Sequence, residues 1–409
     1  MDKNRKSRFY YGYWVAAACF AIQGVGIGTF ISFGVFFKPL LAEFEWTRAT
    51  LSGASSVTFL IAGILGIFVG SLNDRIGPRV IMTVTGVFFG LGYLLMSQVS
   101  ALWQLYLFYG MVVGIGTSSI DVIPLTTTAR WFVNRRGTMT GMVKVGTGAG
   151  QLTIPLMAGL LIAAYGWRTA YVIIGALVLV LLVSISQLLR RDPSQMGLLP
   201  DGLEETPAGE TGQTKGLTLR DAMDTRQFWI ICSVNLAVIS CLLTIMMHIV
   251  IHAMDIGISS IKAAGILSTI GGVSMAGRMV TGIAIDRIGN KKSMIICFFI
   301  LIASFLWLQV AKELWMLYLF AVVYGLAHGG FFTVISPIVA ELFGIDSHGA
   351  VFGVVVFSGA VGGAIGPIVA GHIFDITSSY QLDFFILTGV SVAGLILISF
   401  LRPAVKGVS

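Results

Sequence analysis

Arg278 stands well inside an apolar run, Gly271-Gly-Val-Ser274-Met-Ala-Gly-Arg278-Met-Val-Thr-Gly282. An arginine within a membrane span costs at least about 2.5–3.5 kcal/mol at the bilayer centre and persists where it faces protein or water and finds a partner. Gly271, Ser274, Arg278 and Gly282 recur at helical spacing and share one small, polar face of the kind that lines a cavity. A guanidinium is always charged and forks onto a carboxylate through two hydrogen bonds. Arg278 is therefore read as the binding group for an anionic substrate. The alternative is a structural arginine that snorkels or pairs with a neighbouring helix.

Two other spans carry ionisable groups. Gly137, Gly141, Lys144 and Gly148 share a helical face, and so do Gly114, Thr117, Asp121 and Thr128. Counted from the turn at Arg130 to Arg136, Asp121 and Lys144 both lie about 12–14 Å into the membrane at 1.5 Å per residue. Consecutive antiparallel helices then predict an Asp121–Lys144 pair, either a neutralised packing contact or a proton-responsive site facing Arg278. His328, in Tyr324-Gly-Leu-Ala-His328-Gly-Gly-Phe-Phe332, falls near mid-membrane. It is able to donate to a carboxylate or to change protonation near neutral pH, or it is a satisfied packing residue. His248 and His252 are expected near the outer mouth and are weaker candidates.

The elements that position these residues are membrane helices. Of 409 residues 56% are hydrophobic and only 11% charged, where a soluble domain carries about 25%. Apolar spans of about 20 residues lie near 11–37, 50–72, 80–98, 103–128, 138–164, 168–189, 228–254, 261–285, 293–311, 314–340, 350–374 and 381–401. The net charge of +7 comes from short basic clusters between spans, the signature of membrane topology and not of nucleic acid. Lys3, Arg5, Lys6 and Arg8, Arg75 and Arg79, Arg130 to Arg136, the 190–226 loop, Arg287 to Lys292, and Arg402 with Lys406 fall on one side. That side, with both termini, is expected to be cytoplasmic. Cys19, Cys232, Cys241 and Cys297 all lie within spans and read as small core residues. No GxxxxGK[ST] run and no catalytic triad spacing appears, so the chain is not expected to be an enzyme or to use ATP.

The chain repeats. Asp74-Arg75-Ile76-Gly77 returns as Asp286-Arg287-Ile288-Gly289, and the same offset of 212 carries Gly137 to Gly349, Gly141 to Gly353, Gly150 to Gly362 and Pro155 to Pro367. The expected fold is an all-α membrane protein with twelve transmembrane helices in two pseudo-symmetric six-helix bundles, with a site at their interface. The bundles are residues 1–190 and 227–409, joined by a polar linker at 191–226. Arg278 corresponds to Gly66 and Lys144 to Val356, so neither charge is duplicated.

Gly70-Ser-Leu72-Asn-Asp74-Arg75-Ile-Gly77-Pro-Arg79 resembles the loop 2–3 signature of the major facilitator superfamily, and Gly282 to Lys292 its second-half echo. Trp131-Phe132-Val-Asn-Arg135-Arg136-Gly-Thr-Met-Thr-Gly141 resembles the start of helix 5 in monocarboxylate porters. Tyr10-Tyr11-Gly12-Tyr13-Trp14 and Gly34-Val-Phe-Phe-Lys38-Pro resemble the bacterial branch that includes oxalate/formate exchangers and lactate or pyruvate carriers. The resemblance implies a helix 8 arginine that binds the anion, a position Arg278 matches. Two departures stand out. Ser274 occupies the position where animal lactate carriers have an aspartate, and Phe352 to Phe374 lacks the helix 11 lysine of oxalate exchangers.

The resemblance also implies charge clamps at the cytoplasmic helix ends, here Asp74, Arg75, Arg130, Asp286, Arg287 and Glu341, with Asp74 expected to pair with Arg130 and Arg287 with Glu341. The expectation is a monomeric secondary transporter in a bacterial inner membrane, carrying a small monocarboxylate with a proton as coupling ion and no cofactor. Arg278, His328, Ser274, Phe332, Thr117, Val143, Phe357 and Lys144 would bind substrate, and Asp121 or His328 would take the proton. The rivals are an oxalate/formate-type exchanger and a proton-coupled drug exporter, the latter disfavoured by Arg278.

Overall fold

A computed structural model describes residues 10–202 and 216–401. Lys3, Arg5, Lys6, Arg8, Lys215, Arg402 and Lys406, used above to orient the chain, lie outside the described residues. The helices are α1 Gly12–Phe44, α2 Arg48–Ile76, α3 Pro78–Met96, α4 Leu102–Trp131, α7 Arg226–Asp255, α8 Ser260–Ile288, α9 Asn290–Leu308, α10 Leu314–Phe343, α11 His348–Thr377 and α12 Gln381–Ser399. A 51-residue stretch, Arg136–Ser186, breaks at Gly166 (φ 78°) into α5 (136–165) and α6 (167–186). Each expected span thus has its helix, and there is no strand among the described residues.

The repeated turn has a backbone cause. Gly77 (φ 98°) and Gly289 (φ 88°) both take the left-handed region that favours glycine, and each reverses the chain between two spans. Pro78 then starts α3 at a position where no N–H is needed. The four cysteines are free and buried.

α4 departs from the single regular helix the sequence suggests. Tyr106–Val113 is wound as a π-helix, and the helix opens at residues 118–121 before resuming at Val122. Pro124 explains part of this, because it has no N–H for the carbonyl of Ile120 four residues earlier.

Packing repeats with the sequence. α1 lies on α5, α2 on α4 and α3 on α6; α7 lies on α11, α8 on α10 and α9 on α12. The halves meet along two seams, α2 with α11 and α5 with α8. Without a hydrophobic drive between helices in lipid, close approach of small residues supplies the contact. A Cβ at Gly70 would lie 1.9 Å from the Gly349 carbonyl oxygen, and one at Gly137 2.5 Å from that of Gly282, so backbones touch at this end. At Gly271, two turns before Arg278 on the same face, a Cβ would meet open space. The cleft is therefore shut at a floor near the Asp74 and Asp286 turns and widens toward the opposite end.

The linker is more ordered at its two edges than its composition suggests. Asp201 accepts from the N–H groups of Val133 (2.9 Å) and Asn134 (2.7 Å), fixing its start to the α4–α5 turn. Gly216 N–H donates to Asp346 (2.8 Å) and Leu217 N–H to the Phe343 carbonyl (2.9 Å), fixing its end to the α10–α11 turn. A short helix, Leu219–Met223, follows, capped by Thr218.

Candidate functional site

The opening in α4 places Asp121 in the cleft. Lys144 Nζ on α5 lies 2.5 Å from Asp121 Oδ1. Gln23 on α1 donates from Nε2 to the same oxygen at 2.9 Å and to the Ile120 carbonyl at 2.8 Å. Thr147, one turn beyond Lys144, donates its hydroxyl to Gln23 Oε1 at 2.8 Å. The Lys144 side chain is 5% exposed and that of Asp121 36%, so the cation is sealed and the carboxylate reaches the cleft. Both donors end on Oδ1. A buried ammonium is tolerable only with such a partner.

Arg278 enters the same cluster from the other half. It is 3% exposed, and its Nη1 donates to the Lys144 carbonyl at 2.9 Å, crossing the α5–α8 seam. That approach depends on Gly141, where a Cβ would come within 2.5 Å of the Arg278 carbonyl oxygen. Arg278 Nε is buried and has no partner, which is costly for a charged donor and is the property an anion would satisfy. Ser274 Oγ and His328 Nδ1 lie 2.9 Å apart one turn away. The His328 ring meets the edge of Phe332 at 5.0 Å, and Lys144 Nζ stands 5.7 Å from the centre of the Phe332 ring. Asp121, Lys144, Arg278, Ser274, His328 and Phe332 thus form one group drawn from α4, α5, α8 and α10.

The remaining expected lining residues make other contacts. Val143 is wholly buried, because the turn of α5 that sends Lys144 to Asp121 sends its neighbour into the packing. Phe357 packs over Gly63 of α2 on the other seam, where a Cβ on that glycine would lie 3.1 Å from the ring. Thr117 spends its hydroxyl on the Val113 carbonyl of its own helix (2.8 Å). His248 contacts the Tyr380 hydroxyl (3.0 Å) and the Pro367 carbonyl (3.1 Å), a bracing contact within the second half. An apolar hollow of about 290 Å³ between α1, α5 and α6 has no charged side chain in its wall and does not suit an anion.

At the floor, Arg130 Nη2 donates to Asp74 Oδ1 at 2.7 Å and to the Asp346 carbonyl at 3.3 Å. Asp74 also accepts from the N–H groups of Gly349 (3.1 Å) and Ala350 (3.0 Å) at the start of α11. Asp286 accepts from Gly137 (2.7 Å) and Thr138 (2.8 Å) at the start of α5. Each carboxylate caps a helix of the opposite half, where free N–H groups and the helix dipole favour negative charge. The expected Arg287–Glu341 pair is absent among the described residues. Glu341 instead accepts from Asn290, whose short amide sits at the start of α9. Arg75 and Arg287 are exposed and form no ion pair among the described residues.

Gln23 and Thr147 complete the cluster without a charge of their own. A lone amide in the apolar run Ala16 to Gly28 carries the same kind of signal as a charge there.

Comparison with known proteins bears on this arrangement. The chain matches the family model described as Major Facilitator Superfamily over residues 14–284 and 273–408. It is 27% identical over 389 residues to Monocarboxylate transporter 13 of Rattus norvegicus, covering 94% of this chain and 87% of that one. It is 26% identical to Monocarboxylate transporter 11 of Homo sapiens, covering 94% and 81%. The crystal structure of the E. coli fucose:proton symporter FucP superposes with a TM-score of 0.73 at 14% identity, covering 96% of this chain and all of that one. The family model and these relatives extend along almost the whole chain, and the chain belongs to the Major Facilitator Superfamily.

Proposed function

We propose that this protein is a proton-coupled symporter of small monocarboxylates, lactate- or pyruvate-like, working by alternating access. Relatives named monocarboxylate transporters along nearly the whole chain support a small organic anion as cargo. The observation that carries the reading is the buried Arg278 guanidinium with an unpartnered Nε, beside an Asp121 side chain that is 36% exposed and paired with Lys144 through Oδ1. The anion docks on Arg278 with Ser274, His328 and Phe332 around it, and the proton binds Asp121. Anion and proton together leave the charge of the site unchanged, so empty and loaded carriers reorient with the same charge. His328 is the alternative proton group. In this reading the floor faces the cytoplasm, which the lysine and arginine distribution supports, the membrane is the bacterial inner membrane that the resemblance implies, and Asp74, Arg130 and Asp286 hold an outward-open carrier.

One observation favours a second reading. Arg278, Lys144 and an ionised Asp121 sum to one positive charge, which a single anion neutralises. A carrier that reorients only when neutral would exchange anions without a proton.

Uptake of labelled L-lactate, pyruvate, formate and oxalate into proteoliposomes, with and without an inward proton gradient, decides between them. Accumulation of a monocarboxylate with the gradient supports the symporter. Uptake that ignores the gradient but needs an anion inside supports the exchanger. If no carboxylate moves, both readings fail.

A further inference from the structure

Gln23 is wholly buried on α1, yet every polar atom of its side chain has a partner. Its orientation follows from a proline. Pro124 leaves the Ile120 carbonyl without its helical donor, and Gln23 Nε2 supplies one at 2.8 Å. On the other side Thr147 donates to Oε1. Turning the amide over would set Oε1 against two acceptors, the Ile120 carbonyl and Asp121 Oδ1, and the NH2 group against the Thr147 hydroxyl. The amide therefore has one orientation, and its second N–H is aimed at Asp121 Oδ1.

We infer that Gln23 is a positioning residue for the coupling proton: with Lys144 it holds Asp121 by Oδ1, so that the proton enters and leaves at Oδ2 on the cleft side. The inference rests on the proposal that Asp121 carries the proton. The step moves one proton from cleft water to Oδ2 and back, and Lys144 keeps its own. A hydrogen bond given to an ionised carboxylate favours the ionised form, so the amide sets how readily Asp121 releases its proton as well as where.

The charged groups that act on Asp121 are Lys144 from α5 and Arg278 from α8. From α10 His328 stands beside Arg278, held by Ser274. α1 contributes the neutral Gln23. Asp74 of α2 and His348 of α11 lie with Arg130 at the floor, and among the described residues neither these helices nor α3 bring a charged group that acts on Asp121.

The test is the pH dependence of L-lactate uptake into proteoliposomes by the full chain, with counterflow at fixed pH reporting a folded carrier. Gln23→Leu keeps the side chain's size and removes both donors. Its half-maximal uptake is expected at an about tenfold lower proton concentration, the effect of losing one charge-assisted hydrogen bond. Pro124→Ala restores an N–H for the Ile120 carbonyl and competes with Gln23 without touching it or Asp121. It is expected to shift the midpoint the same way by about two- to threefold. Unchanged midpoints in both variants overturn the inference. If Gln23→Leu gives no counterflow, Pro124→Ala decides alone, and an unshifted midpoint there overturns it. An Asp121→Asn carrier that keeps the wild-type pH response would instead overturn Asp121 as the proton site. Loss of that response with unmoved Gln23→Leu and Pro124→Ala midpoints would sink the Gln23 role only.

Discussion

The same helix crossing is built twice in this protein, and only one copy carries charge. In the first half α1 meets α5 where a Cβ on Gly150 would lie 1.9 Å from the Gly24 carbonyl oxygen. In the second half α7 meets α11 where a Cβ on Gly362 would lie 2.1 Å from that of Leu236. At the shared offset Gln23 becomes Asn235, Asp121 becomes Thr333 and Lys144 becomes Val356. Gln23 reaches a carboxylate, whereas Asn235 donates to the Val355 carbonyl at 2.7 Å and goes no further. The duplicated features satisfy backbone groups. The unduplicated ones assemble the charged cluster of Asp121, Lys144 and Arg278.

The comparison makes predictions of decreasing size. Arg278→Ala should lower uptake at least about a hundredfold, the effect of removing one partner of a buried charge-assisted contact. Arg278→Lys should recover little, because an ammonium cannot make the forked contact. Transport by Arg278→Ala at the wild-type rate would end the anion reading.

Asp121→Asn leaves Lys144 buried and unpaired, and should destabilise the protein by about 3–5 kcal/mol. The double variant Asp121→Asn with Lys144→Gln should regain much of that, as read by thermal unfolding in detergent. Equal loss in the single and double variants would mean that the pair contributes nothing beyond its two side chains.

At the floor, Asp286→Ala loses a cap, an effect of about 0.5–2 kcal/mol. Asp74→Asn also leaves Arg130 without its carboxylate and should cost more. Distances between spin labels on the exposed Arg75 and Arg287 positions would show the floor opening further in Asp74→Asn.

Asn235→Leu should leave the pH profile of uptake where it was while lowering stability by about 1 kcal/mol, because the group it donates to is a carbonyl and not a carboxylate. Arg287→Gln should stay within about 0.5 kcal/mol of wild type by the same thermal measurement.

How much of this was legible in the sequence depends on what kind of partner each residue has. The spans and the two halves were legible because apolar length and repeated glycines record them directly. Asp121 and Lys144 were brought together by counting residues from one turn, since a helix advances by a fixed rise. The caps made by Asp74 and Asp286 left no such trace. Their partners are backbone N–H groups of the opposite half, which have no residue type. The expected Arg287–Glu341 pair followed from opposite charge at neighbouring helix ends, but Asn290 is the donor that reaches Glu341. Val143 and Phe357 are turned into packing, which spacing does not reveal, because it fixes which residues share a face and not which way that face is turned. Gln23 carries no charge, and its role depends on a proline in another helix.

The floor also bears on the symmetry of the fold. Asp74 contacts Gly349, Asp286 contacts Gly137, and both pairs are related by the offset of 212. They are one contact read in two directions, the hallmark of a two-fold interface between identical copies. In a single six-helix unit the aspartate would have no helix start to cap, and the helix start no aspartate. Two copies satisfy both at once. The floor is thus the contact that two copies of one six-helix unit would make with each other across a two-fold axis, here held within a single chain.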